Sequence, residues 1–201
     1  MKTRIISFYA DLNYNKYYTN KAIALIEKCK EFNVPHDIVE LPSRGSYMLN
    51  CLMKPTFIKD MMKKYNEPFI WMDCDTEFRQ PFQDFDDIPH DIGFASHTGR
   101  IDGIKASPVY FKNGDKFDLI INTWIEACER GLKDNRFELD HDALKHVVLP
   151  KIHNDISIFI INQNYNDYCN GKYINNGNSS FVDKREVHAK LQVINRRRPP
   201  L

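Results

Sequence analysis

The 201-residue chain has no apolar run long enough to suggest a membrane-spanning helix. It has no excess of either charge: 28 basic residues stand against 27 acidic ones, for a net charge of +1. Without a broad basic surface, nucleic acid and anionic membranes are disfavoured as partners. The Arg196-Arg197-Arg198-Pro199-Pro200 end is the exception; it reads as a solvated terminus, with phosphate binding as the alternative. Cysteines number five, an odd count. Cys29, Cys51, Cys74, Cys128 and Cys169 include no C-x-x-C pair, which argues against a disulfide framework or structural zinc site and for reduced, buried thiols. The eight glycines are scattered, so no Gly-rich phosphate loop is apparent. No charged leader with a long apolar stretch precedes Arg4, so no signal peptide is expected and the expected location is cytoplasmic. No repeat or compositional break divides the chain.

What is present is alternating strand and helix patterning. Arg4 to Tyr9 reads as a first strand, followed by a polar loop at Asp11 to Asn15. Ala22, Leu25, Ile26, Cys29 and Phe32 then fall on one face of a helix running from about Tyr17 to Phe32. Asn33-Val34-Pro35 stops it, and His36 to Leu41 reads as a second strand. Such a β-α-β opening implies a parallel pair with a right-handed crossover. A helix beginning near Pro55 buries Phe57, Ile58, Met61, Met62 and Tyr65. Further strands are expected at Asp91 to Ser96, Ala106 to Phe111 and Ile156 to Ile161. Between them lie a helix with an apolar face of Phe117, Ile120, Ile121, Trp124 and Cys128, and a short helix from Asp140 to Val147. The last fifty residues are Asn-rich and aperiodic until Lys184 to Val193. The expected fold class is α/β: a single domain with a mixed, mostly parallel twisted sheet and helices on both faces.

Three pairs of aspartates are spaced by two: Asp73/Asp75, Asp84/Asp86 and Asp140/Asp142. With 18 aspartates in the chain, about 1.6 such pairs are expected by chance, so spacing alone decides nothing. Context separates them. Asp84/Asp86 lies in an acidic connection and reads as a solvated loop. Asp140/Asp142 opens a helix, where carboxylates cap free N–H groups. Only Asp73/Asp75 follows a run, Pro68-Phe69-Ile70-Trp71-Met72, too apolar for a surface strand. On a continuing strand both carboxylates would face one side, with Cys74 opposite. Open α/β sheets put ligands at such strand ends. Two carboxylates there suffice for Mg²⁺ or Mn²⁺, hard ions held by oxygen ligands together with substrate phosphates. The structural alternative is a capped strand end.

Several separated segments resemble nucleotide-sugar-dependent glycosyltransferases of the A-type (GT-A) fold. Ile5-Ile6-Ser7-Phe8-Tyr9 and the Tyr-rich segment after it resemble their first nucleotide-contacting strand. Met53-Lys54-Pro55-Thr56-Phe57-Ile58 resembles their K-P-x-F-I helix, and Trp71-Met72-Asp73-Cys74-Asp75-Thr76 is similar to W-L-D-A-D, a form of their D-x-D motif. Ala106 to Asn113 with Trp124 resembles S-G-x-x-x-F-x-N and its Trp-bearing helix. Leu139-Asp140-His141-Asp142-Ala143-Leu144 resembles D-Q-D-A-L, and Gln163-Asn164-Tyr165-Asn166 a late L-P-x-x-Y-N segment. The chain departs from the pattern at Pro108, in place of Gly, and at His141, in place of Gln, which leaves sugar and acceptor unassigned. In size it is close to compact viral and phage members.

The resemblance implies a hexosyltransferase-type enzyme that moves a sugar from a nucleoside-diphosphate sugar, expected to be UDP-linked, to a glycan or protein acceptor. It divides the single domain into a nucleotide-sugar-binding half (residues 1–100) and an acceptor-side half (101–201). Asp75 is expected to ligate Mn²⁺ or Mg²⁺, with Asp73 on the ribose, the metal or both, and His188 as a further metal ligand. Tyr9 and Asp11 become candidates for base and ribose contact, although core packing explains Tyr9 as well. Lys54 becomes a candidate for phosphate or ribose contact and Lys190 for diphosphate contact, and a solvated helix lysine is the plain alternative for Lys54. Asp140 and Asp142 become the acceptor-side catalytic candidates. One would act as general base if configuration inverts, or would orient the donor sugar if it is retained. Two other readings remain open: a nucleotidyltransferase or metal phosphoesterase using the same carboxylates, and a non-catalytic interaction protein on this fold.

Overall fold

The computed structural model describes residues 2–12, 16–81, 85–134, 140–162, 165 and 171–175. His188, Lys190, Cys169, the helix expected over Lys184 to Val193 and the Arg-rich end lie outside the described residues. The opening unit is as expected: strand β1 (Arg4–Tyr9), helix α1 (Tyr17–Glu31) and strand β2 (His36–Glu40), with β1 and β2 parallel. Helix α1 ends where Asn33 enters the left-handed region (φ 52°) just before Pro35. A five-residue helix α2 (Tyr47–Cys51), not anticipated in the loop after β2, starts where the Ser46 hydroxyl accepts the Leu49 N–H. Helix α3 (Lys54–Tyr65) carries Pro55 in its first turn and leads into strand β3 (Phe69–Trp71).

The chain continues through β4 (Glu77–Phe78), β5 (Ile92–Ser96), a 3-10 turn at Ile101–Gly103, and β6 (Ile104–Phe111). Helix α4 (Phe117–Asp134) buries its predicted face of Phe117, Ile120, Ile121, Trp124 and Cys128. The short helix expected to end at Val147 runs further. It comprises α5 (Asp140–Ala143), a π turn (Leu144–Val148) and α6 (Leu149–Ile152), with Pro150 accommodated in the first turn of α6. Strands β7 (Ile158–Ile161) and β8 (Ile174–Asn175) follow.

Six strands form one sheet in the order β2-β1-β3-β6-β5-β7, and β4 pairs with β8 in a separate two-stranded ribbon that the sequence pattern did not reveal. The main sheet is mostly parallel, with β6 running against both β3 and β5. Its two faces are covered separately, as strand alternation requires. Ile6, Phe8, Phe69, Trp71, Val109 and Phe111 pack with α3 and α4. Ile5, Ile70, Met72 and Tyr110 face the other way and pack with Leu25 and Cys29 of α1. Asp86 departs from the solvated role expected for its loop. Its carboxylate accepts the backbone N–H groups of Lys2 and Thr3 and so fixes the chain entering β1.

On β5, Gly93 lies opposite Tyr110 on one side and Phe159 on the other. The Phe159 ring covers the space a side chain would need, and packs edge-on to Tyr110 with centroids 5.8 Å apart. Gly93→Ala is therefore expected to force the Phe159 ring out of place and to cost about 1–3 kcal/mol, the range for overpacking a filled core. Denaturant titration against the parent protein measures this.

Candidate active site at the end of strand β3

Strand β3 ends at Trp71, so Asp73 and Asp75 do not lie on it as the alternation argument required. They occupy a turn closed by the Thr76 N–H donating to the Asp73 carbonyl at 2.9 Å. The two carboxylates are consequently unequal. The Asp73 side chain keeps 43% of its surface exposed, whereas Asp75 is 7% exposed as a residue, between buried Cys74 and Thr76.

Asp73 is held from several sides. Its backbone N–H donates to the Ser107 hydroxyl at 2.9 Å, tying the turn to β6. Its Oδ1 accepts the Trp71 indole N–H at 3.0 Å and pairs with the Lys54 ammonium at 3.1 Å. Both contacts fall on Oδ1, so among the described residues Oδ2 is the oxygen left for an incoming group. Trp71 itself packs against both Phe8 and Phe57, which also touch each other, and this cluster fixes the direction of its N–H.

Lys54 is not the solvated helix lysine considered above: it is buried, at 6% exposure. Its ammonium lies 2.7 Å from Asp140 Oδ2, 3.1 Å from Asp73 Oδ1 and 3.3 Å from the Ala106 carbonyl, and 5.2 Å from the centre of the Trp71 ring. An ammonium has three N–H donors, and three protein oxygens surround this one. Burial alone would lower the lysine pKa; the Asp140 and Asp73 carboxylates outweigh it and hold Lys54 above its usual range. Breaking such a buried set by removing one member typically costs on the order of 3–5 kcal/mol.

Asp140, the first acceptor-side candidate, is the buried end of this set, at 4% exposure. Burial, reinforced by the nearby Asp73 charge and opposed by Lys54, raises its pKa. Its backbone carbonyl accepts the Trp124 indole N–H at 3.0 Å, which joins the start of α5 to α4. Asp142, two residues on, is half-buried and is the more open of the pair. His141 lies between them. Burial and the Lys105 ammonium pull its pKa down to about 4, against the opposing Asp142 charge, so its imidazole is neutral at pH 7.

The nucleotide-side candidates separate. Tyr9 closes β1, and burial together with Glu40 and Asp11 raises its phenol pKa. The Asp11 carboxylate accepts the backbone N–H groups of Tyr18 and Thr19, at 2.8 and 3.2 Å, and the Thr19 hydroxyl; it fastens the first turn of α1. Pattern reading missed two tyrosines close to the aspartate turn. Burial and then the Asp75 charge raise the pKa of Tyr18, whose buried hydroxyl has no hydrogen-bond partner among the described residues. Burial, Cys51, Tyr18 and Asp73 raise that of Tyr47. Both phenols therefore stay neutral. The only sequence signal for Tyr18 was its place beside the Tyr-rich loop.

Asp73 and Asp140 share one ammonium among the described residues, so this part of the site has more acidic than basic groups. An all-oxygen donor set with surplus negative charge fits a hard divalent cation. Among the described residues no three His, Cys, Asp or Glu side chains group as a metal site, and two carboxylates suffice only when the ligand supplies oxygens as well. A concavity of about 640 Å³ lined by Lys2, Arg4 and residues 33–36 lies at the amino ends of β1 and β2, away from Asp73. Cys29, Cys51 and Cys128 are free thiols, and no described helix is long and apolar enough to cross a membrane.

No family model matches the chain, and no curated protein matches it by sequence. Solved structures do match. A glycosyltransferase involved in the glycosylation of the major capsid of PBCV-1 superposes with a TM-score of 0.65 at 14% identity, covering 94% of this chain and 99% of that one. The glycosyltransferase GlyE of Streptococcus pneumoniae TIGR4 gives a TM-score of 0.51 at 15% identity over 82% of this chain. Its apo form gives 0.50 at 16% over 83%. The chain spans 46% of the length of GlyE. These likenesses establish a fold shared with glycosyltransferases.

The His141 environment has a measurable consequence. Its folded pKa lies below the value of 6.5 for a free imidazole, so the unfolded chain takes up the proton first. The stability due to neutral His141 is complete above pH 6.5 and is lost as pH falls from there towards 4. Thermal melts across this window should show an acid-side decline that His141→Gln makes shallower. An identical decline in the variant would contradict this assignment.

Proposed function

We propose that this chain is a divalent-metal-dependent glycosyltransferase that moves a sugar from a nucleoside-diphosphate sugar, UDP-linked in our reading, to a glycan or protein acceptor. The observation that carries the proposal is the Asp73–Asp75 turn beyond the carboxyl end of β3, beside the reversed strand β6, on a fold shared with glycosyltransferases. The PBCV-1 enzyme is involved in glycosylation of a capsid, which favours a protein or glycan acceptor over nucleic acid here.

Asp73 and Asp75 are the residues that would hold Mn²⁺ or Mg²⁺, with His188 and Lys190 as further candidates from the late segment. When bound, the cation supplies charge stabilisation for the diphosphate leaving group. Tyr9 and Asp11, at the end of β1, are assigned to the base and ribose side. On the acceptor side, the burial of Asp140 against Lys54 favours Asp142 as the carboxylate that meets the acceptor hydroxyl. A general base must come within hydrogen-bond reach of the proton it removes, which the open carboxylate can do more readily than the enclosed one. In an inverting reaction Asp142 takes that proton; in a retaining one it orients the donor sugar.

Two outcomes follow. Asp75→Asn, which preserves side-chain shape, should lower Mn²⁺-dependent UDP affinity at least tenfold in calorimetry while the melting temperature stays within a few degrees of the parent. Unchanged binding in a folded variant would refute the metal-site assignment. In an inverting reaction Asp142→Asn should leave UDP affinity within about twofold and reduce transfer roughly 10²–10⁴-fold, the usual contribution of a general base. Product analysis with a panel of labelled nucleoside-diphosphate sugars measures the second.

A further inference from the structure

We infer that Lys54 is a positioning residue rather than a donor ligand: its buried ammonium sets the Asp73 carboxylate and couples it to Asp140, 67 positions away. The inference rests on the glycosyltransferase reading for its functional consequence and on geometry for the coupling itself. Lys54 Nζ lies 2.7 Å from Asp140 Oδ2 and 3.1 Å from Asp73 Oδ1, and donates to the Ala106 carbonyl at 3.3 Å. Three protein oxygens already crowd the ammonium, the Ala106 carbonyl as a hydrogen-bond acceptor and the two carboxylates as ion-pair partners. The lysine is 6% exposed, so a diphosphate would have to displace protein oxygens to reach it.

The consequence lies in which Asp73 oxygen is available. Lys54 and the Trp71 indole both engage Oδ1, which fixes the rotation of the carboxylate and presents Oδ2. Lys54 also separates two carboxylates that would otherwise repel each other in a poorly solvated place. Removing the lysine alone leaves Asp140 buried without its cation and next to the Asp73 charge, which disturbs the turn. Removing both the lysine and the Asp140 charge leaves no unpaired buried ion, and Asp73 keeps its contacts to Trp71 and Ser107. A lysine acting directly on the donor would instead be needed whatever stands at position 140.

A double-mutant cycle separates these cases. Lys54→Met is made in the parent and in the Asp140→Asn background. UDP affinity with Mn²⁺ is measured by calorimetry, and melting temperature by scanning calorimetry. A positioning lysine predicts at least a tenfold loss of UDP affinity on Lys54→Met in the parent but less than threefold in the Asp140→Asn background. The double variant should melt above Lys54→Met alone. An equal loss of affinity in both backgrounds overturns the inference and makes Lys54 a donor ligand. If the parent binds no nucleoside diphosphate with any divalent cation, the functional reading fails on its own. The melting cycle then decides the coupling: recovery in the double variant supports it, and additive losses overturn it. Should Lys54→Met not fold, its rescue to a folded protein by Asp140→Asn supports the coupling, and failure of that rescue overturns it.

Discussion

A buried lysine ammonium must find counter-charge and polar contacts to replace water, and meeting that demand at Lys54 sets the arrangement around it. Its partners come from the turn after β3, from β6 and from the start of α5, while the lysine itself opens α3. Four elements distant in sequence therefore have to converge. Charges taken out of water are repaid by their mutual attraction only when the geometry is good. Two tryptophans secure it. Trp71 directs its N–H to the Asp73 carboxylate and Trp124 directs its own to the Asp140 carbonyl, each from a fully packed position. The apolar core thus aims the polar centre, and the polar centre constrains how the core elements meet.

Among the described residues β6 is the one reversed strand of the main sheet, and it makes this convergence possible. Because β6 runs against β3, the chain entering β6 lies beside the chain leaving β3. Ser107 and Ala106 are brought next to Asp73 and Lys54, where one supplies a hydroxyl and the other a carbonyl. A parallel neighbour would place the end of its strand there instead. Ligands of open α/β sheets gather beyond the carboxyl ends of strands, and here that region is also the place where strand direction changes.

Regular elements were legible in the sequence because burial imposes a period. The apolar runs at Arg4–Tyr9 and Phe69–Trp71, and the helical faces of α1, α3 and α4, follow from that rule. Short elements were not. Helix α2 has five residues and the β4–β8 ribbon pairs two with two across almost a hundred positions, too little to set a pattern. The turn at Asp73 reads as strand in the sequence because an apolar run says where burial begins more clearly than where hydrogen bonding to neighbours ends. Lys54 was the least legible residue of the site. A lysine on a helix looks solvated unless its partners are known, and these lie 19 and 86 positions downstream.

The turn also changes the meaning of the aspartate pair. On a strand, side chains two apart share an environment; in the turn, Asp73 is open and Asp75 enclosed. Two such groups cannot be interchangeable ligands. Asp73 reaches outward with Oδ2 while the indole N–H and the ammonium hold Oδ1 and the Ser107 hydroxyl holds the backbone. Those dipoles and that charge are in place before any ligand arrives, so little reorientation of Asp73 is needed on binding. The same contacts temper its charge, because the ammonium it shares with Asp140 competes with any incoming cation. Affinity at this position is thus a balance between a well-directed oxygen and a partly neutralised one, and Lys54 acts on both sides of it.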